Sequence, residues 1–136
     1  MKAKKKFGQN FLVDRYFISQ IIKEINPKIG DNILEIGPGK GAITDPILKK
    51  INHISVVEID PDMIKILKNK ISPINISILA EDILNMNNEF FEKFNKIIGN
   101  LPYYIATEII LKLTKIYSSS SELYFMVQKE VAERIT

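Results

Sequence analysis

Short apolar runs alternate with helical ones along this chain, and that alternation restricts its fold more than any other feature. Residues 33–36, 53–59, 74–79, 96–99 and 124–127 read as strands. Between them stand runs with apolar residues on one helical face, such as Met63, Ile64 and Leu67, and before the first strand Phe17, Ile18, Ile21, Ile22 and Ile25. Strands in this order need right-handed helical crossovers, which build a parallel sheet covered on both faces. The expected class is therefore α/β, a mostly parallel sheet with helices on both faces.

The punctuation fits. Asp14 reads as the N-cap of the first helix, which Pro27 and Gly30 close. The glycine-rich residues 37–41 lead into a helix expected to reach about Lys50. Asp60-Pro61 is an N-cap with proline at the first helical position, opening a helix to about Lys70. A weaker helix is expected over 89–94, another over 106–117, and a last one from Glu130, with Ser118 to Ser121 as a polar loop. The fifth strand would be an apolar edge with no neighbour, which natural sheets avoid, so the chain reads as a fragment truncated after that strand.

Composition excludes some chemistry. The 136 residues fit one domain with a sizeable core. With no cysteine and the single His53, neither disulfides nor a thiolate or zinc site is expected, and His53 reads as an ordinary satisfied residue. No run approaches the roughly 20 apolar residues that span a bilayer, and no signal-peptide pattern follows Met1, so the expectation is a cytoplasmic protein without membrane or metal. The net charge of +3 is concentrated at Lys2, Lys4, Lys5 and Lys6, readable as a solvated tail or as an arm for nucleic acid.

Candidate chemistry gathers at the ends of the strands, where open α/β sheets place their ligands. The fourth strand hands over to Asn100-Leu101-Pro102-Tyr103. The exocyclic amine of a nucleobase is a poor nucleophile, so an enzyme that methylates it must hold acceptors where the amine's hydrogens point. Asn100 Oδ1 is one candidate acceptor. The Leu101 carbonyl is a second, directed by the restriction that Pro102 places on the preceding residue. Tyr103 offers a ring for an unstacked base, and Phe125 a second wall. The plain alternative is an ordinary turn with core aromatics.

Gly37, Gly39 and Gly41 follow a G-x-G-x-G spacing. A dinucleotide's pyrophosphate is packed by G-x-G-x-x-G, so the spacing disfavours NAD and is compatible with S-adenosylmethionine. Glu35 either orients this loop, meets a ligand's ammonium or simply caps loop amides. Glu58 lies roughly 20 residues beyond Gly37, the spacing at which an acid grips ribose hydroxyls. Asp82, after the third strand, is a candidate acceptor for an adenine amino group, with Ile83 beside it. Residues 7–12 have no regular period and read as a segment that crosses a surface or covers a site.

Taken together, Lys6-Phe7-Gly8-Gln9-Asn10-Phe11-Leu12, the segment Glu35 to Gly41, Val57-Glu58-Ile59-Asp60, Asp82, Asn100-Leu101-Pro102-Tyr103 and Phe125-Met126-Val127-Gln128-Lys129-Glu130-Val131 resemble the ribosomal RNA adenine N6-dimethyltransferase family, related to the erythromycin-resistance methyltransferases. The resemblance implies a Rossmann-like class I S-adenosylmethionine-dependent methyltransferase fold, with residues 1–136 as the amino-terminal catalytic domain and a helical carboxyl-terminal substrate domain absent. It implies dimethylation of N6 of two adjacent adenosines near the 3′ end of small-subunit ribosomal RNA, during maturation of the immature 30S subunit, by a monomer. The cofactor would be met by residues matching Asn10, Leu12, Gly37, Glu58, Asp82 and Asn100, with residues 7–12 as a flap. Asn100, Leu101, Pro102, Tyr103 and Phe125 would hold the target base. The alternatives left open are a non-catalytic RNA-binding or assembly module and a methyltransferase of 23S RNA.

Overall fold

The computed structural model describes residues 14–115 and 122–127. Its sheet has five strands, β1 (Ile33–Ile36), β2 (Ile54–Val57), β3 (Ile76–Leu79), β4 (Lys96–Leu101) and β5 (Glu122–Val127), in the order β3-β2-β1-β4-β5. Every pairing is parallel. The helices are α1 (Arg15–Ile25), α2 (Thr44–Leu48), α3 (Pro61–Lys70), α4 (Asn88–Glu92) and α5 (Tyr103–Thr114), with a 3-10 turn at Ile83–Asn85. The chain steps outward from β1 to β3 and then returns to β4 on the other side of β1. A crevice opens at that reversal, above the strand ends.

Side chains alternate between the two faces and both are covered, as a parallel sheet requires. On one face Ile33, Ile54, Val56 and Ile98 pack with Ile25 of α1, Ile47 of α2 and Leu67 of α3. On the other Leu34, Ile36, Ile97 and Leu101 pack with Phe91 of α4 and with Ala106, Ile109 and Leu113 of α5. All four residues of β1 are buried, so its Glu35 is enclosed in protein.

The caps follow from short-range chemistry. Asp14 accepts the Tyr16 and Phe17 amides at 3.0 and 3.1 Å, and Asp60 accepts the Asp62 amide at 2.9 Å ahead of Pro61. The C-cap of α1 is Asn26 at φ 49°, one residue before Pro27, because asparagine tolerates the left-handed turn that satisfies the Ile22 carbonyl.

Several boundaries differ from the sequence expectation. The largest difference lies at β4, which continues through Asn100 and Leu101, paired with Met126 and Val127 of β5. The ladder overrides the poor strand preference of Gly99 and Asn100. Pro102 then takes the N-cap position of α5 and the helix starts at Tyr103, three residues before the expected Ala106, because a proline at a helix start forfeits no hydrogen bond. So the Asn-Leu-Pro-Tyr stretch is a strand end joined to a helix rather than a turn. Strand β2 stops at Val57 because the Glu58 carboxylate binds the following amides, and α2 ends at Leu48. The basic residues Lys2, Lys4, Lys5 and Lys6, the segment with Asn10 and Leu12, the serine loop and the helix expected from Glu130 lie outside the described residues.

At the opposite end of the sheet, Lys96 is 5% exposed at the start of β4. Its ammonium donates to the Ile25 and Asn26 carbonyls at 2.9 and 3.0 Å and to Asp31 at 2.8 Å. Asp31 also accepts the Lys28 amide and the Asn95 side chain, each at 2.9 Å. This network locks the end of α1 to the base of β1 and β4.

Candidate functional site

The crevice above the strand ends holds a cavity of about 450 Å³. Gly37 after β1, Glu58 and Ile59 after β2, Asp82 and Ile83 after β3, and Asn100 of β4 share its walls. Residues from the four strand ends thus meet although they are distant in sequence.

The glycine loop owes its shape to backbone freedom. Gly37, Gly39 and Gly41 have φ of 66°, 58° and 89°. A Cβ on Gly39 would meet no atom within 4 Å, so the reason for glycine there is its backbone angle; a Cβ on Gly41 would come within 3.3 Å of Leu67. The Glu58 carboxylate ties the loop to the end of β2. Glu58 Oε1 accepts the Gly39 amide at 3.1 Å, while Oε2 accepts the Ile59 and Asp60 amides at 3.0 and 3.1 Å. A carboxylate offers about four lone-pair sites, so one position, on Oε1, is left beyond the protein's own bonds.

Glu35 does not line this cavity. It accepts the Thr44 hydroxyl at the start of α2, inside the protein. Burial pushes its carboxyl up to about 7; the Thr44 bond offsets part of that and the charges of Asp45 and Glu58 add to it. The hydrogen-bond partner of Glu35 is thus Thr44, beyond the loop, rather than a loop amide, and Glu35 lies outside the lining of the cavity. Thr44 carried no readable signal, because it looks like any residue entering a helix.

Asp82 accepts the Leu84 amide at 3.0 Å and caps the 3-10 turn, so its carboxylate is held at the cavity wall with Ile83 buried beside it. Asn100 is half-buried on the last rung but one of the β4 ladder, and Leu101 and Pro102 also line the cavity. Tyr103, the first residue of α5, is 42% exposed and outside the lining, whereas Tyr104 contributes to it. Phe125 pairs with Gly99, and a Cβ on Gly99 would approach its ring to 3.3 Å. It packs with the α5-side core, and the ring is half-buried. Ile59, 67% exposed beside Glu58, was not read as a site residue; a large apolar side chain next to a strand-end acid was the available signal. His53 bonds Ser77 at 2.8 Å, away from the cavity.

The groups fit a ligand that carries hydroxyls, a flat ring and no phosphate. Carboxylates at the ends of β2 and β3 accept hydrogen bonds, Ile59 and Ile83 offer apolar surface, and the loop lets a ligand approach the backbone. Among the described residues no helix is long and apolar enough to cross a membrane.

A family model described as ribosomal RNA adenine dimethylase matches residues 1–136. Ribosomal RNA small subunit methyltransferase A of Legionella pneumophila (strain Corby) is 42% identical over 133 residues, 97% of this chain and 52% of the relative. The protein of the same name from Neisseria meningitidis is 42% identical over 134 residues, 98% of this chain and 52% of the relative. The chain thus spans about half the length of the curated relatives it matches. Among solved structures, a dimethyladenosine transferase from Plasmodium falciparum superposes with a TM-score of 0.74 at 28% identity, over 90% of this chain and 44% of that one. The 23S rRNA methyltransferase ErmE gives 0.70 at 26%, over 90% and 50%.

Proposed function

The chain belongs to the ribosomal RNA adenine dimethylase family, and on that premise we propose that it binds S-adenosylmethionine in the strand-end cavity and dimethylates N6 of two adjacent adenosines near the 3′ end of small-subunit ribosomal RNA, in the cytoplasm, on the immature subunit. The observation that carries this reading is the placement of Asn100 and Leu101 on the end of β4, in the same cavity wall as Glu58 and Asp82. Relatives 42% identical bear the small-subunit name, which favours that substrate over 23S RNA.

S-adenosylmethionine, when bound, supplies a methyl group already activated by its sulfonium. The protein's work is then positioning and electrostatics. The free site on Glu58 Oε1 accepts a ribose hydroxyl, Asp82 accepts the adenine amino group, and Ile59 and Ile83 cover the ring. Gly37 gives the backbone access to the ligand, and Asn10 and Leu12 complete the binding set. Asn100 Oδ1 and the Leu101 carbonyl hold the hydrogens of the target amine, with Pro102 setting the carbonyl's direction. A neutral amide suffices because the amine becomes acidic only as it gains the methyl, and its proton then passes to water. A stacked adenine is extruded at a cost of a few kcal/mol, to be offset by stacking on Tyr103, which is exposed between the cavity-lining Pro102 and Tyr104. Phe125, which lies outside that lining, would reach the base only from the β5 side.

Calorimetric titration with S-adenosylmethionine, combined with turnover on small-subunit RNA, tests this. Asn100→Ala should lower turnover roughly 10²–10³-fold, as removal of a positioned group at a reacting centre does, and leave cofactor affinity nearly unchanged. Glu58→Ala should weaken cofactor binding itself. Equal losses of turnover and cofactor affinity in Asn100→Ala would refute the assigned role.

A further inference from the structure

A second cavity, larger than the first at about 660 Å³, runs between α1 and α2, and the proposed cofactor and base contacts use none of its lining. The exposed Arg15, Lys23, Lys49 and Lys50 line it, and its less exposed, apolar part is Ile18, Ile22 and Pro46. All four cations are exposed, and none has a salt bridge among the described residues. The nearby carboxylates do not face it. Asp45 pairs with Lys70 at 2.5 Å, Asp14 caps α1, and Glu24 lines a different groove, beside β5. Among the described residues no acidic side chain lines the cavity.

Four unpaired cations beside an apolar lining cost the free protein repulsion and exposed surface, and a polyanion with flat apolar parts removes both. We propose that this groove is a second RNA contact, holding the phosphate backbone of a single-stranded or loop segment on Arg15, Lys23, Lys49 and Lys50 with a base laid on Ile18 and Pro46. Arginine pairs with phosphate oxygens through two donors and lysine as a point charge. Bases splayed from a single strand stack on aromatic rings or arginine planes; this lining holds no aromatic ring, so Arg15 would supply the plane and Ile18 and Pro46 apolar cover. A flat lipid surface fits a concave groove poorly. The proposal rests on RNA being the substrate and needs no step of methyl transfer.

The experiment measures binding of a fluorescein-labelled RNA hairpin with a single-stranded flank across a salt series, without cofactor, by anisotropy. The groove variant carries Arg15→Gln, Lys23→Gln, Lys49→Gln and Lys50→Gln. A control loses four other exposed cations by Lys65→Gln, Lys68→Gln, Lys93→Gln and Lys115→Gln. Each phosphate contact on single-stranded RNA contributes about 0.7 to the slope of log affinity against log salt, so the groove variant should flatten it by about 3. The control should change it by less than one contact's worth. Circular dichroism and S-adenosylmethionine titration report whether each variant is folded and competent. An unchanged slope in a folded groove variant overturns the proposal, as does equal flattening by the control. Groove-dependent binding to phosphatidylserine vesicles in preference to the RNA, or groove-dependent self-association in sedimentation, overturns it too. Failure of the wild-type chain to bind S-adenosylmethionine would count against the methyltransferase reading alone.

Discussion

The two ends of one parallel sheet solve opposite problems. Where the strands begin, Lys96, Asp31 and Asn95 bond one another and the end of α1. Where they end, the chain keeps glycines at positive φ, an exposed Ile59 and carboxylates turned toward a cavity. Both ends contain buried or half-buried charge, but one closes on itself and the other keeps acceptors for something else. The same strands therefore carry a clamp below and a binding edge above.

The largest effect that would sharpen this contrast is at the clamp. Lys96→Ala leaves Asp31, 13% exposed at its side chain, without its cation. It should destabilise the fold by about 3–5 kcal/mol, as loss of one partner of a buried pair does. Urea unfolding measures this, and a loss of a few tenths would make the network decorative.

Next in size is a pair of opposite pH responses. Below the strands, burial pushes Asp31 up, but bonds from Lys96, Asn95 and the Lys28 amide together with the Lys96 charge outweigh it and hold the carboxyl below 3.8. Its contribution is present above pH 3.8 and is lost as pH falls through the folded value. Above the strands, Glu35 keeps its proton up to about 7 in the folded chain and to 4.5 when unfolded. Its contribution is complete below pH 4.5 and is lost as pH rises through 7, on the order of a few kcal/mol. Glu35→Gln should abolish the decline between pH 4.5 and 7 and leave the acid limb intact. A variant profile parallel to wild type over that range would show that Glu35 ionises freely.

The smallest effect is the most discriminating. Gly30, near the clamp at φ 100°, and Gly39, in the site loop at φ 58°, both leave open space for a Cβ. Alanine at either should cost about 1–2 kcal/mol of backbone strain. Only Gly39→Ala should weaken S-adenosylmethionine binding, because its amide is bonded to Glu58. Equal affinity losses in calorimetry would erase the distinction between the two ends.

The sheet was legible because apolar runs and caps are local signals. The Ile33–Ile36 strand and the Asp60-Pro61 helix start stand where the sequence placed them. The strand-end acids could be placed from the same local signals. What escaped is set by distant partners. Asn100 and Leu101 belong to a strand only because β5 lies beside them, and Asp31 meets Lys96 from 65 positions away. Tyr104 reaches the cavity, and not Tyr103, because α5 begins at once after Pro102, and a proline cap has no side-chain hydrogen bond to advertise it.

The junction between β4 and α5 has a further consequence, for how this chain can change length. Only Pro102 separates the ladder from the helix. A residue inserted or deleted in β4 just before Asn100 would send Asn100 to the opposite face of the sheet, since side chains there alternate with a period of two. An exposed connection such as the one between α3 and β3, where Ile74 is 82% exposed, has more room to absorb such an event. At this joint the count of residues is itself part of the site.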